Sequence, residues 1–159
     1  MAILINLGVT EMPYSYGNLG KSKSGKERAS TTGDVAAILE DKYHIMAFFW
    51  NNHQDEIIEK LSEGIQGAFE TLLMGGPVTY SSALAAGASE VELLFQKMLD
   101  SKEMDYKQPG IPTQASLLGI SHRFKKKKSK NKKRKLTIRP SFIDTGLYEN
   151  SFRCWGGEE

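Results

Sequence analysis

With one cysteine, Cys154, among 159 residues, the chain can close no disulfide on itself and offers no second thiol to a metal. Its three histidines, His44, His53 and His122, stand far apart, and none has another histidine or a cysteine at metal-ligand spacing. No metal and no cofactor is expected. Nowhere does the sequence approach the ~20 consecutive apolar residues of a membrane helix, and MAILINLGV lacks the basic flank and longer apolar core of a signal peptide. An intracellular origin with no membrane partner is the expectation. Neither a Gly-x-Ser-x-Gly elbow nor a catalytic-cysteine motif occurs.

Each residue that could carry chemistry has a plainer role. The segment SYGNLGKS, Ser15 to Ser22, comes nearest to a phosphate-binding loop, but Ser15 stands where the first glycine belongs. SGKERAS, which follows, makes a poor helix, so the amide-lined nest for a phosphate is not supplied and a flexible loop is predicted. His44 lies in an apolar stretch and reads as a core or interface residue. His53 stands beside Asp55 and Glu56, acids suited to the positive end of a helix. Cys154 and His122 have no recognisable motif around them. The expectation is a protein that is not an enzyme.

What is present is ordinary globular material: 40% hydrophobic and 25% charged residues, enough to bury a core. The length suits a single domain over 1–159. The net charge of +2 conceals an asymmetry. The run Arg123 to Lys135 (RFKKKKSKNKKRK) holds 10 of the 21 basic residues and no acid, which leaves 11 basic against 19 acidic residues elsewhere, or −8. Arg123, Lys125, Lys126, Lys127, Lys128, Lys130, Lys132, Lys133, Arg134 and Lys135 are therefore candidates for contact with an anionic partner or DNA. Such contact would be blind to sequence. Phe124 is the only aromatic residue among them, too few for base stacking. A solvated loop between ordered segments, or a nuclear-import signal, fits the same run.

Hydrophobic spacing predicts an α+β fold: a mainly helical core of about three to four helices, a small sheet, and long extended arm or loop segments. Ala2 to Val9, with Ile3, Ile5 and Leu7 on one side, reads as a strand or an arm on a partner. Residues 10–32 are rich in Gly, Ser and Lys without period, an extended loop or arm of a length that favours inter-subunit contact. Asp34 is placed to cap a short helix from Val35. After the aromatic patch YHIMAFFW, a main core helix is predicted from about Asp55 to Met74, its stripe being Ile57, Ile58, Leu61, Ile65, Phe69, Leu72 and Leu73. Gly75, Gly76 and Pro77 end it. A small, polar stretch runs to Gly87, and Ser89 with Glu92 has capping-box spacing for a helix over about Glu90 to Ser101. Thr113 can cap a short helix carrying Ala115, Leu117, Leu118 and Ile120. Leu136 and Ile138, with Phe142 as a further member, suggest a brief strand or extended segment, and Gly146 introduces a last helical turn through Leu147, Tyr148 and Phe152 to Trp155, with Asp144 or Thr145 able to cap it.

That closing segment, RPSFIDTGLYENSFRCW from Arg139 to Trp155, resembles the end of tailed-bacteriophage virion proteins from the neck and tail-completion region, which often close with Thr-Gly and a short amphipathic helix. STTGDVAAILEDKYHIM, from Ser30, and IPTQASLLGISHRFK, from Ile111, are also similar to phage structural proteins. These pieces cover under half of the chain. The resemblance implies a virion component, assembled in the host cytoplasm, that forms a homo-oligomeric ring at the head–tail junction with other neck, connector or tail proteins. Arg139, Phe142, Asp144, Thr145, Tyr148, Phe152, Arg153 and Trp155 would then make assembly contacts, with the two arginines pairing to an acidic neighbour. The lysine run looks like an enlarged loop beside the motif, so no role carries over to it. A nucleic-acid-binding accessory protein, tethered by that run, is the other class of function the residues allow.

Overall fold

The computed structural model describes residues 4–13, 31–108, 110–117, 141–143 and 146–157. The loop expected over 10–32 is thus described only at its two ends, and the basic run 123–135, with Leu136 and Ile138, lies outside the described residues. The fold is α+β and mainly helical, with one small antiparallel sheet.

Strand β1, Leu4–Val9, pairs antiparallel with β2, Phe152–Gly157, so the two ends of the chain close the sheet together. The register sets Leu7 opposite Cys154 and Val9 opposite Phe152 on the core side, with Asn6 opposite Trp155 and Gly8 opposite Arg153 on the other. Gly8 is required there, because a Cβ would stand 2.8 Å from the Trp155 ring that lies across it. The helical turn expected to continue through Trp155 therefore stops early. Helix α6, Leu147–Ser151, is a single turn begun at Gly146 (φ +73°), and from Phe152 the burial alternates residue by residue, the two-residue period of a strand. Phe142 is likewise in no strand. It sits in a turn at φ +70°, its ring 4.9 Å from Tyr43.

Helix α1, Thr32–Tyr43, begins earlier than Val35 and is capped by Thr31. The Thr31 hydroxyl accepts from the Asp34 amide and the Asp34 carboxylate accepts from the Thr31 amide, so Asp34 completes the box without being the cap. Thr32 is fully buried, and its hydroxyl bridges the Thr10 carbonyl and the Met12 amide while Thr10 reaches the Ser151 carbonyl. This knot ties the end of β1, the start of α1 and the end of α6. His44 follows in the left-handed region (φ 50°) as the hinge to the next helix and is exposed, not part of the core.

Helix α2, Ile45–Leu73, absorbs both the aromatic patch and the expected core helix. It is two helical runs joined across a kink at His53 (φ −123°, ψ 15°), the second being the expected core helix, and beside the kink the Asn52 side-chain amide donates to the Phe48 carbonyl. Gly75 (φ +80°) and Gly76 close α2 in a Schellman motif, with the Gly76 amide on the Thr71 carbonyl and the Gly75 amide on the Leu72 carbonyl.

Helix α3, Tyr80–Asp100, starts ten residues before the expected Glu90 and is capped by Thr79 with Ser82. Ser89 is interior, its hydroxyl donating to the Ala85 carbonyl. The alanine-rich stretch hid this half of the helix because it has no apolar stripe, although alanine is the best helix former. Its small side chains serve the crossing with α2: a Cβ on Gly87 would lie 2.6 Å from the Lys60 carbonyl oxygen, and one on Gly64 2.6 Å from the Gly87 nitrogen. Short turns follow as α4, Glu103–Lys107, and α5, Gln114–Leu117, where the Thr113 hydroxyl accepts from the Ser116 amide as expected. The core gathers Ile45, Phe48, Phe49, Ile57 and Leu61 of α2, Leu84, Val91, Phe95, Met98 and Leu99 of α3, Met104, Ile111, Tyr148, Phe152 and Cys154.

Gly87→Ala is expected to destabilise the chain by roughly 1–3 kcal/mol, because backbone atoms of α2 must move. Gly67→Ala, with nothing within 4 Å of the added carbon, should stabilise it by about 0.5–1 kcal/mol. Urea unfolding of the two variants measures both signs.

Candidate functional site

The polar cluster richest in titratable groups sits at the α2 irregularity. His53 Nε2 lies 2.9 Å from Glu103 Oε2 and His53 Nδ1 3.3 Å from Glu56 Oε1, while Lys107 Nζ donates to Glu103 Oε1 at 2.6 Å and reaches Asn52 Oδ1 at 3.5 Å. Burial pushes the Glu103 carboxyl up, but the hydrogen bonds from Lys107 and His53 outweigh it and hold the group below its ordinary value. Both His53 ring nitrogens face carboxylates, so the ring is committed to these partners and the arrangement fastens α4 to α2. Asp55 and Glu56 stand in the first turn of the helical run that resumes after the kink at His53, the positive end that suits such acids. Among the described residues no group of three His, Cys, Asp or Glu is disposed to hold a metal.

Cys154 is buried on the core side of β2, and burial, with Glu92 adding to it, pushes its thiol up to about 11. Its backbone amide donates to Glu92 Oε1 at 3.2 Å, and Arg153 Nη1 meets Glu92 Oε2 at 3.5 Å. Glu92 therefore binds the outer edge of β2 and does not cap α3. The acidic partner expected for Arg153 is found within the chain.

The residues expected to make assembly contacts divide by burial. Tyr148 and Phe152 are core residues of this chain, and Phe142 is half-buried against Tyr43. Arg153 and Trp155 are exposed on the outer face of the sheet. Arg139, Asp144, Thr145, Arg123, Lys125, Lys126, Lys127, Lys128, Lys130, Lys132, Lys133, Arg134, Lys135 and His122 lie outside the described residues.

A larger apolar surface comes from the helix read as the main core element. Ile57 and Leu61 are buried, but Ile58, Ile65, Phe69, Leu72 and Leu73 are exposed, Phe69 at 59% and Leu73 at 73%. The reason is geometric. Past the Gly64 and Gly87 crossing, α2 has α3 on one side only, and the broad stripe in the sequence spans two faces, of which one meets α3. Met74 at the hairpin tip is exposed as well. Together these side chains expose on the order of 600 Å² of apolar surface, at the upper end of the roughly 300–600 Å² of the largest patch on a typical monomer, a patch that is often functional. The described residues carry 15 acidic and six basic side chains, so this surface belongs to an acidic body. No helix among the described residues is long and apolar enough to cross a membrane.

Comparison with known proteins gives no match to a family, to a curated protein or to a solved structure.

Two carboxylates should respond to pH with opposite signs. Glu103 is held low, so its contribution is present above 4.5 and fades as the pH falls through its folded value. Glu149 is pushed up by burial and then by Asp100, and its Oε2 has no hydrogen-bond partner among the described residues, so ionising it costs stability as the pH rises. Glu103→Gln is expected to cost about 1 kcal/mol at pH 7 and less at pH 3, whereas Glu149→Gln should leave the chain as stable or more stable at pH 7. Melting temperatures at the two pH values test this.

Proposed function

We propose that this chain is a non-enzymatic structural protein of a tailed-phage virion, a neck or tail-completion component that joins a ring at the head–tail junction. The observation that carries the reading is the exposed apolar stripe from Ile58 to Leu73 on a helix that is otherwise part of the core. A surface of this size loses free energy in water at about 25 cal/mol per Å², and covering it with another polypeptide recovers that. The similarity of Arg139 to Trp155 to phage neck and tail-completion proteins supplies the kind of assembly. It would form in the host cytoplasm and end in the virion. Among the described residues of the closing segment, Trp155 is a large apolar side chain exposed on the sheet, and the reading gives it to a neighbour.

The nucleic-acid reading keeps one specific support. Because the described body is acidic, attraction to DNA would rest chiefly on the run Arg123 to Lys135, with Lys21, Lys23, Lys26 and Arg28 adding to it.

The two readings separate in one set of measurements. If the assembly reading holds, the chain enters particles or defined oligomers, seen by sedimentation and light scattering, and still does so after Lys125 to Lys135 are neutralised. Tight duplex binding by a monomer that never enters a particle, with affinity falling steeply with salt and lost on neutralisation, would reverse the choice.

A further inference from the structure

The exposed stripe has the spacing of a helix-docking seam. Ile58, Ser62, Ile65, Phe69 and Leu72 recur at four, three, four and three residues, the alternation by which one helix presents a continuous line to another. The line is distinct from Ile57, Leu61, Gly64 and Ala68, which face α3 and are buried or partly buried. Ser62 is its one polar member, and its hydroxyl already donates to the Ile58 carbonyl at 2.7 Å, so drying the seam strands no donor.

Charge along the edge selects the occupant. At about 100° per residue, Glu59, Glu63, Gln66 and Glu70 fall along the side of the stripe away from α3. No lysine or arginine occurs from Leu61 to Gln96, and Lys60, the nearest, is engaged with Glu63 at 2.9 Å. Two copies meeting antiparallel through this stripe would set one glutamate edge against the other. In a parallel pair the acidic edge of each would be directed at the side where α3 already stands. A helix with an apolar seam and cationic flanks meets neither obstacle.

We propose that the Ile58 to Leu72 face of α2 receives an amphipathic helix of another protein, whose apolar seam is flanked by lysine or arginine. The inference rests on the assembly reading in that a second polypeptide covers this face, and it adds the partner's chemistry.

The test uses the full chain and two labelled synthetic helices of about three heptads with the same leucine seam, one flanked by lysine and the other by glutamate, followed by fluorescence anisotropy. The lysine peptide should bind at least tenfold more tightly than its twin. Ile65→Ser with Phe69→Ser should weaken that binding at least tenfold without moving the melting temperature, since both side chains are exposed. Glu63→Gln with Glu70→Gln should weaken it about threefold and flatten its salt dependence. Equal binding of the twins, or lysine-peptide binding that ignores the Ile65 and Phe69 changes, overturns the proposal. So does a dimer of the peptide-free chain, seen by light scattering, that Phe69→Ser dissolves, because a second copy would then be the occupant. Particle entry that survives the double serine change also overturns this docking face, while leaving the assembly reading intact. Peptide binding as expected in a chain that enters no particle supports the face and sinks the assembly reading alone.

Discussion

The stacking of Phe152 on Phe95 is the contact on which the remaining architecture depends. The rings lie 4.0 Å apart and within 13° of parallel, and Phe49 stands edge-on to both at 5.2 and 5.7 Å. Three fully buried aromatic side chains thus join α2, α3 and the C-terminal strand, bridging positions about a hundred residues apart. Each fully buried ring of this kind contributes roughly 1.5–3 kcal/mol. The consequence is topological. Strand β1 has β2 as its partner, so the same Phe152 that anchors the C-terminal segment in the core also positions the strand on which β1 pairs. The Thr10, Thr32 and Ser151 hydrogen bonds then fasten the two ends and α1 together.

The second constraint is the close crossing at Gly64 and Gly87. It lets α2 and α3 approach at backbone contact, but it uses up the faces that carry glycine and alanine, leaving the larger residues of α2 beyond the crossing turned away. The two runs of α2, joined across the kink at His53, hold 29 residues and extend beyond the core that covers them. The half near Phe48, Phe49 and Ile57 is enclosed, and the half near Phe69 and Leu73 is bare. One helix therefore does two jobs along its length, and the fold confers no benefit on the apolar residues of its far half.

How much of this could be read in the sequence depended on whether a segment's pattern had one cause. Leu4 to Val9 was legible as a strand because its alternation is local, and the Gly75-Gly76-Pro77 stop and the Thr113 cap were legible because turn chemistry acts within a few residues. Helix α3 was half hidden, since Ala83 to Ala88 shows propensity without periodicity, and Ser89 with Glu92 imitated a start that Thr79 and Ser82 supply. Phe152 to Trp155 was misread as helix because its strand character comes from β1, which is remote in sequence. The stripe on α2 was legible as apolar, but its division between a face on α3 and a face in solvent follows from where the glycines let α3 approach, which a single helix pattern does not encode.

Of the polar groups, those with local partners were the more readable. Asp34 was legible as part of the start of α1, although Thr31 is its cap, whereas the role of Glu92 lies with Cys154 and Arg153, more than sixty positions away. His53 shows both sides, because Asp55 and Glu56 open the helical run after its kink as their position suggested, while its shortest contact is to the remote Glu103. Charged residues at these crossings spend their hydrogen bonds on joining elements: Glu103 and Lys107 hold α4 to α2, and Glu92 holds the edge of β2 to α3. The acids on the outer side of α2 differ in kind. Glu59, Glu63 and Glu70 border exposed apolar side chains of α2 and join no two elements, since the one ion pair among them, Glu63 with Lys60 at 2.9 Å, lies within the helix, so their charge is directed at what surrounds the stripe.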